Sequence, residues 1–203
     1  VGRNQAFDTA AVVKAARDLF WDRGYEATSL AELEHATGLN RSSLYNVFGS
    51  KRGLFDAAVG GYLDTVIRPR LRGLLGDAPA RNALIEYFDG LRGAVAARPS
   101  GSQTRGCLLV NCAAGLAGHD DPAREVVDGY RAELTSALRR ALARAGAGPA
   151  ADPSRDVERA RTLAALSMSA MLLARVNTAE SAALLEAASN QVREWFPETA
   201  QPV

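Results

Sequence analysis

Apolar residues recur along this chain at spacings of three and four, and no segment alternates apolar and polar residues between turn signals. That is the period of helices buried along one face, and it predicts an all-α protein. From Asp8 to Arg23, residues Val12, Val13, Ala16, Leu19 and Phe20 form one stripe, and Gly24 ends the helix. A short second helix starts at Ser29, which forms a capping-box pattern with Glu32, and stops at Gly38. A third starts at Asn40, an N-cap residue with Leu39 and Leu44 placed as a hydrophobic staple, and ends at Gly49. A fourth begins at Ser50 and runs to about Gly76, with a kink or interruption expected at Pro69. Longer helices are expected over about 79–97, 106–117, 122–145, 154–176 and 179–196. The breaks carry Gly and Pro: Arg98 to Ser102, Gly118 to Pro122 and Gly146 to Pro153. The expected architecture is a compact three-helix head, a long connecting helix and a larger helical bundle, divided into residues 1–52 and 53–203.

The turn Gly38-Leu39-Asn40 joins two short helices at the length of a helix-turn-helix. On the second helix, Leu44, Val47 and Phe48 fall at i, i+3 and i+4 and are expected to bury against the first two. The opposite face carries Ser42, Tyr45 and Asn46, with Arg41 and Ser43 on its flanks. These are short hydrogen-bonding groups, one Arg and one aromatic at the start of a helix. Such a helix can enter a DNA major groove amino end first, where its dipole also favours phosphate. From His35 to Phe55 there is no acidic residue, while Arg41, Lys51 and Arg52 are basic, a local charge of +3. A solvated helical hairpin in any bundle has the same turn, so spacing alone leaves that alternative open.

Composition narrows the partners. The 203 residues are 47% hydrophobic and 23% charged, which suits a globular chain with a sizeable core. Lys plus Arg total 24 against 23 acids, a net charge of +1, so coating nucleic acid by bulk charge is excluded and any DNA contact must use a local patch. No apolar run is long enough for a spanning helix and the amino end lacks a secretory pattern, so a cytoplasmic protein without a membrane partner is expected. Cys107 and Cys112 are too few for a disulfide framework or a cysteine-based zinc site. His119-Asp120-Asp121 precedes Pro122 and reads as a helix cap, so neither metal nor cofactor is expected. No nucleophile–base pairing or phosphate loop points to an enzyme. An all-α enzyme using a carboxy-terminal pocket, and an adaptor whose helix-turn-helix contacts only protein, are the alternatives.

The run Gly24 to Leu30 followed by Ala36 to Phe55, with Gly24, Thr28, Gly38, Tyr45, Phe48, Lys51 and Leu54 at this spacing, closely resembles the head of TetR-family transcriptional regulators. The resemblance is strong over about residues 8–62, and the rest matches in helix layout and length. It implies a homodimer that binds a palindromic double-stranded DNA operator, usually as a repressor, and releases it when a small-molecule effector enters the carboxy-terminal domain. It makes Thr28 a phosphate contact at the start of the second helix, with Ser29 beside it. Arg41, Ser42 and Ser43 are expected at base edges or nearby phosphates, and Tyr45 and Lys51 at the backbone. Arg41 is the candidate for guanine readout, because its planar fork can bond O6 and N7 together. Relatives often carry His where this chain has Val47, and Asn46 is the substitute for that contact. Arg3, in the arm before Asp8, is a candidate for the minor groove, with a frayed terminus as the alternative.

In the body, the helices at about 154–176 and 179–196 resemble the family's dimerisation pair, with Leu163, Leu166, Met171, Leu184, Leu185, Val192 and Trp195 as their apolar content. Completing the monomer's own core is the alternative. Candidates to line an effector cavity are Tyr62, Ile67, Phe88, Leu91, Cys107, Leu108, Asn111, Tyr130, Met168 and Met171, and ordinary packing is the alternative for each. Such a lining suits an apolar or aromatic effector. The segment Arg105 to Asn111 also resembles one in a subgroup of the family, some of whose members sense electrophiles or oxidants through the matching cysteine. A thiol near a helix start beside Arg105 has its thiolate favoured, whereas a buried Cys107 packs as a small hydrophobe.

Overall fold

The computed structural model describes residues 7–97, 105–148 and 151–198, so Arg3 and the break from Arg98 to Ser102 lie outside the described residues. Among those described, all regular structure is helical. The order is α1 (Thr9–Arg23), α2 (Leu30–Thr37), α3 (Arg41–Phe48), α4 (Lys51–Tyr62), a π-helical turn (Leu63–Ile67), α5 (Arg68–Gly73), α6 (Ala80–Ala96), α7 (Leu108–Gly115), α8 (Asp121–Ala145), α9 (Pro153–Leu173) and α10 (Thr178–Trp195).

Local chemistry sets the head's helix ends. The Asp8 carboxylate accepts from the Ala10 amide at 2.9 Å. Both arms of the capping box form, with the Ser29 amide donating to Glu32 at 2.8 Å and the Glu32 amide to Ser29 Oγ at 3.3 Å. Asn40 and Ser50 accept from the Ser43 and Gly53 amides at 2.9 and 3.0 Å. Gly38 closes α2 at φ +69°, a conformation that costs a residue with a Cβ. The stripe on α1 buries Val12, Ala16, Phe20 and Trp21, while Val13 and Leu19 are only partly covered. Phe20 meets Phe55 edge-on at 5.2 Å, and Leu33, Leu44 and Leu54 complete the head's core. Val47 departs from expectation: it is 44% exposed, because Leu44 and Phe48 alone satisfy the contact with the neighbouring helices.

α4, the π-helical turn and α5 form one continuous rod. The interruption expected at Pro69 is this turn, which begins before the proline. A proline inside an α-helix lacks the N–H for the carbonyl four residues back, and its ring strikes that carbonyl. The wider i→i+5 turn moves those carbonyls aside. α7 also starts later than expected, at Leu108, because Gly106 stands at φ +79° and cannot join the helix.

In the body, α6 packs on α8 and α10, and α9 packs between α8 and α10. Leu163, Met171, Leu185 and Val192, expected at a dimer interface, are buried within the protomer. α9 and α10 each spend one apolar face on this core. Their outer faces carry Ala165, Ser169 and Leu172, and Ala179, Ala183 and Ala187, with Val176 in the turn between them, all exposed. Head and body are locked together. Trp21 lies edge-on to Tyr62 at 5.1 Å, and Arg175 donates to the Trp21 and Asp22 carbonyls at 3.4 and 2.7 Å. A guanidinium there also meets the negative end of α1.

Candidate nucleic-acid interface and inner chamber

The Asn40 cap fixes Arg41 as the first residue of α3. Arg41, Ser42 and Asn46 are exposed, and Ser43 and Tyr45 are half-buried beside them. The Arg41 guanidinium lies over the Tyr45 ring, 5.4 Å from its centroid, so the cation and the aromatic form one unit on the helix's first turn. Lys51 Nζ stands 4.5 Å from the centre of the Tyr25 ring. Neither Arg41 nor Lys51 makes an ion pair among the described residues. Ser29 is exposed at the start of α2, with its side chain committed to the capping box.

Thr28 is placed differently from the rest of the expected contact set. It is 1% exposed, and its hydroxyl donates to the Gly24 carbonyl at 2.7 Å. Its side chain closes the turn between α1 and α2.

The expected local charge of +3 also changes in three dimensions. Arg52 donates to Asp56 at 2.8 Å and to Asp120, which lies 68 residues away in sequence. Glu34 reaches the amino end of α3 and accepts from the Arg41 amide. The uncompensated cations near α3 are therefore Arg41 and Lys51. Asp120 has two tasks, since its other oxygen caps α8 by accepting from the Ala123 amide at 2.8 Å. The Arg52 hydrogen bond, then the Ala123 amide, hold its carboxyl below the usual aspartate range. A carboxyl lowered by folding contributes stability above its unfolded pKa of about 3.9 and loses it as pH falls through the folded value. Asp120→Asn keeps a good cap and removes the ion pair. Its melting temperature is expected to lie below that of the parent at pH 7, with the gap closing in acid. An equal gap at both pH values would show that the charge of Asp120 does not carry the effect.

Behind the head, the rod, α6, α8, α9 and the residue before α7 enclose a small chamber of about 10 Å³. Tyr62, Ile67, Leu91, Cys107, Tyr130 and Met171, all expected from sequence, line it. Phe88, Leu108, Asn111 and Met168 do not. Phe88 packs edge-on against Tyr87 at 5.0 Å, Leu108 is fully buried, Met168 packs half-buried on the core, and the Asn111 amide donates to the Arg105 carbonyl at 3.3 Å. Arg70, Leu71, Tyr87 and Ser167 complete the wall and were not anticipated. Tyr87 and Ser167 stand four residues before Leu91 and Met171, one helical turn away on the same faces, and that spacing was the available signal.

Burial pushes the Cys107 thiol up, and the Val110 amide and Tyr62 hydroxyl pull it only part of the way back. The thiol is protonated at neutral pH, which favours the packing alternative for this residue. Burial likewise raises Tyr62 and Tyr130 well above the ordinary phenol value and Tyr87 to about 12, so all three present neutral hydroxyls.

Residues 12–58 match the family model described as bacterial regulatory proteins, tetR family. The chain is 32% identical over 145 residues to the uncharacterized HTH-type transcriptional regulator YezE of Bacillus subtilis, covering 71% of this chain and 73% of that one. It is 35% identical over 129 residues to the HTH-type transcriptional repressor BdcR of Escherichia coli, covering 64% and 62%. Among solved structures it is similar to a cysteine mutant of the TetR family transcriptional regulator CifR complexed with 26-bp double-strand operator DNA. That match has a TM-score of 0.77 and 32% identity over 93% of this chain and 98% of the other. Reduced NemR of E. coli, at 21% identity and a TM-score of 0.78 over 96% of this chain and 100% of its own, shares the fold. Among the described residues, no helix is long and apolar enough to cross a membrane.

Proposed function

The chain belongs to the TetR family of bacterial regulatory proteins, which are transcriptional regulators and not enzymes, and from that premise we propose that it is a homodimeric repressor. It reads a palindromic operator through α3 and lets go when a small molecule enters the chamber behind the rod. The observation that carries this reading is the Arg41–Tyr45 pair at the exposed start of α3, with Lys51 over the Tyr25 ring at the start of α4 and no acid paired to either cation among the described residues. BdcR is a repressor and CifR forms a complex with operator DNA, which supports the same role here.

Residues 1–52 act as the DNA-binding head and 53–203 as the ligand-binding and dimerisation body. The exposed small-residue faces of α9 and α10 suit close packing against the same two helices of a second copy. Ala165, Ser169, Ala179, Ala183 and Ala187 let backbones approach, and Leu172 and Val176 supply apolar area. Dimerisation sets two α3 helices about one DNA turn apart, as a palindrome requires. The link between chamber and operator is the rod. Tyr62 and Ile67 line the chamber on the same element whose first residue is Lys51.

Operator selection with the purified protein, followed by sedimentation with and without the selected duplex, tests this reading. Two protomers per palindrome are expected, and a protomer bound alone would overturn the dimer. Lys51→Ala is expected to weaken binding to all sequences alike and to reduce the slope of log affinity against log salt by about one per half-site. An unchanged slope would remove Lys51 from the phosphate contacts.

A further inference from the structure

The chamber does not stand alone. Between α5 and α6 a vestibule of about 230 Å³ borders it, and the two spaces share Arg70, Tyr87 and Leu91 as a common wall. Pro69, Leu74 and Ala83 give the vestibule apolar sides.

The polar groups around this pair of spaces are unbalanced. The Tyr130 side chain is 4% exposed and lines the chamber, yet its hydroxyl has no hydrogen-bond partner among the described residues. Arg70 makes no ion pair or hydrogen bond among them either, and its charge acts on Tyr62, Tyr87, Cys107 and Tyr130 alike. Tyr87 is held only loosely, with its hydroxyl 3.4 Å from Ser167 Oγ. Among the described residues no carboxylate lines the chamber. The Tyr130 hydroxyl inside and the exposed Arg70 guanidinium at the wall are thus donors without an acceptor among the described residues. Their complement is an anionic acceptor.

Size selects the anion. The chamber has room for one water-sized group, too little for a phosphate with three free oxygens. Its neighbour is smaller than the roughly 300–1,000 Å³ of sites for drug-sized ligands, and takes a short chain or a single ring. Glu86, exposed on the vestibule's wall, repels a second negative charge.

We propose that chamber and vestibule form one site for a small monocarboxylate with an apolar tail, its carboxylate bridging Arg70 and Tyr130 and its tail lying along Leu74 and Leu91. This rests on the effector reading above and names the chemical class of that effector. A carboxylate can accept from the guanidinium fork with one oxygen and from the Tyr130 hydroxyl with the other, both as charge-assisted bonds.

The test uses the full chain with benzoate and hexanoate as probes, and benzamide and hexanamide as their uncharged counterparts. Binding is followed by calorimetry, and release of the selected operator by gel shift. At least one carboxylate is expected to bind about tenfold or more tightly than its amide. Arg70→Gln and Tyr130→Phe are each expected to weaken that carboxylate about tenfold, in line with loss of one charge-assisted bond, and to leave amide binding unchanged. Both variants should retain parental circular dichroism, since Arg70 is exposed and phenylalanine preserves the ring. Equal binding of acid and amide, no binding by either carboxylate, or parental carboxylate affinity in Arg70→Gln would each overturn the proposal. If a carboxylate binds as expected and the operator stays bound, the site stands and the effector reading fails. If the operator is released only by neutral apolar compounds, the effector reading stands and the carboxylate site fails.

Discussion

Arg41→Ala is expected to abolish selective operator binding while leaving the helical fold intact. Arg41 is exposed at the first position of α3, and its guanidinium is held over the Tyr45 ring. A bidentate Arg–guanine contact is worth about 1–3 kcal/mol of discrimination, and the proposed dimer would make it twice. The expected loss is therefore about 2–6 kcal/mol per operator, roughly 30- to 20,000-fold in affinity. Stability should change little, by about 0.5 kcal/mol or less, because the side chain is exposed and a cation at a helix's amino end opposes the dipole. Arg41→Lys separates charge from shape. Lysine keeps the attraction to phosphate and loses the planar fork, so it should bind operator and unrelated duplex with nearly equal affinity. Tyr45→Ala removes the surface on which the guanidinium rests, and should cost less when Arg41 is already absent. Parental affinity and selectivity in Arg41→Ala, measured on folded protein, would remove α3 from the role of reading helix.

The head was legible because its information is local. Ser29, Glu32, Asn40 and Ser50 each bond a backbone group within three residues, so the spacing of polar residues fixed where α2, α3 and α4 begin. The outer face of α3 followed once Leu44 was placed inward. What the pattern missed was set across distance or by competition. A window running from His35 to Phe55 counts Arg52 as a free cation, but Asp120 reaches it from the start of α8. The same window ends one residue short of Glu34, which folds back onto α3. Periodicity offered Val47 as a buried residue, yet two apolar neighbours already filled the space. In the body, residues such as Leu163 and Leu185 have the same pattern whether they face their own core or a partner. Only the packing of α9 and α10 on α6 and α8 separates the two. The chamber was half legible for a related reason. Aromatic and apolar residues announce a wall, but Arg70 and Ser167 are ordinary residues until the fold turns them toward Tyr62 and Tyr130.

Gly106→Ala is expected to be among the most damaging single substitutions in the body, although it adds one methyl group. Gly106 sits at φ +79°, and an added Cβ would lie 2.1 Å from the Met171 carbonyl oxygen and 3.2 Å from its carbon. Those are backbone atoms of α9, so no rotamer change can clear them. The start of α7 must move away from α9, and Cys107, the next residue, must move with it. The left-handed conformation alone costs an L-residue about 1–2 kcal/mol, and separating two packed backbones adds to it, for a total of about 3 kcal/mol or more. For a chain of this size that lowers the melting temperature by roughly 6–12 °C. Gly38→Ala is the control. Its φ is +69° in the left-handed region, but nothing lies within 4 Å of the added Cβ, so it should show only the conformational part. If the two variants melt within a degree or two of each other, the contact between the Gly106 turn and α9 is not tight. If Gly106→Ala falls several degrees further, the close approach beside Met171 sets the wall of the chamber, and a residue with no side chain decides where Cys107 stands.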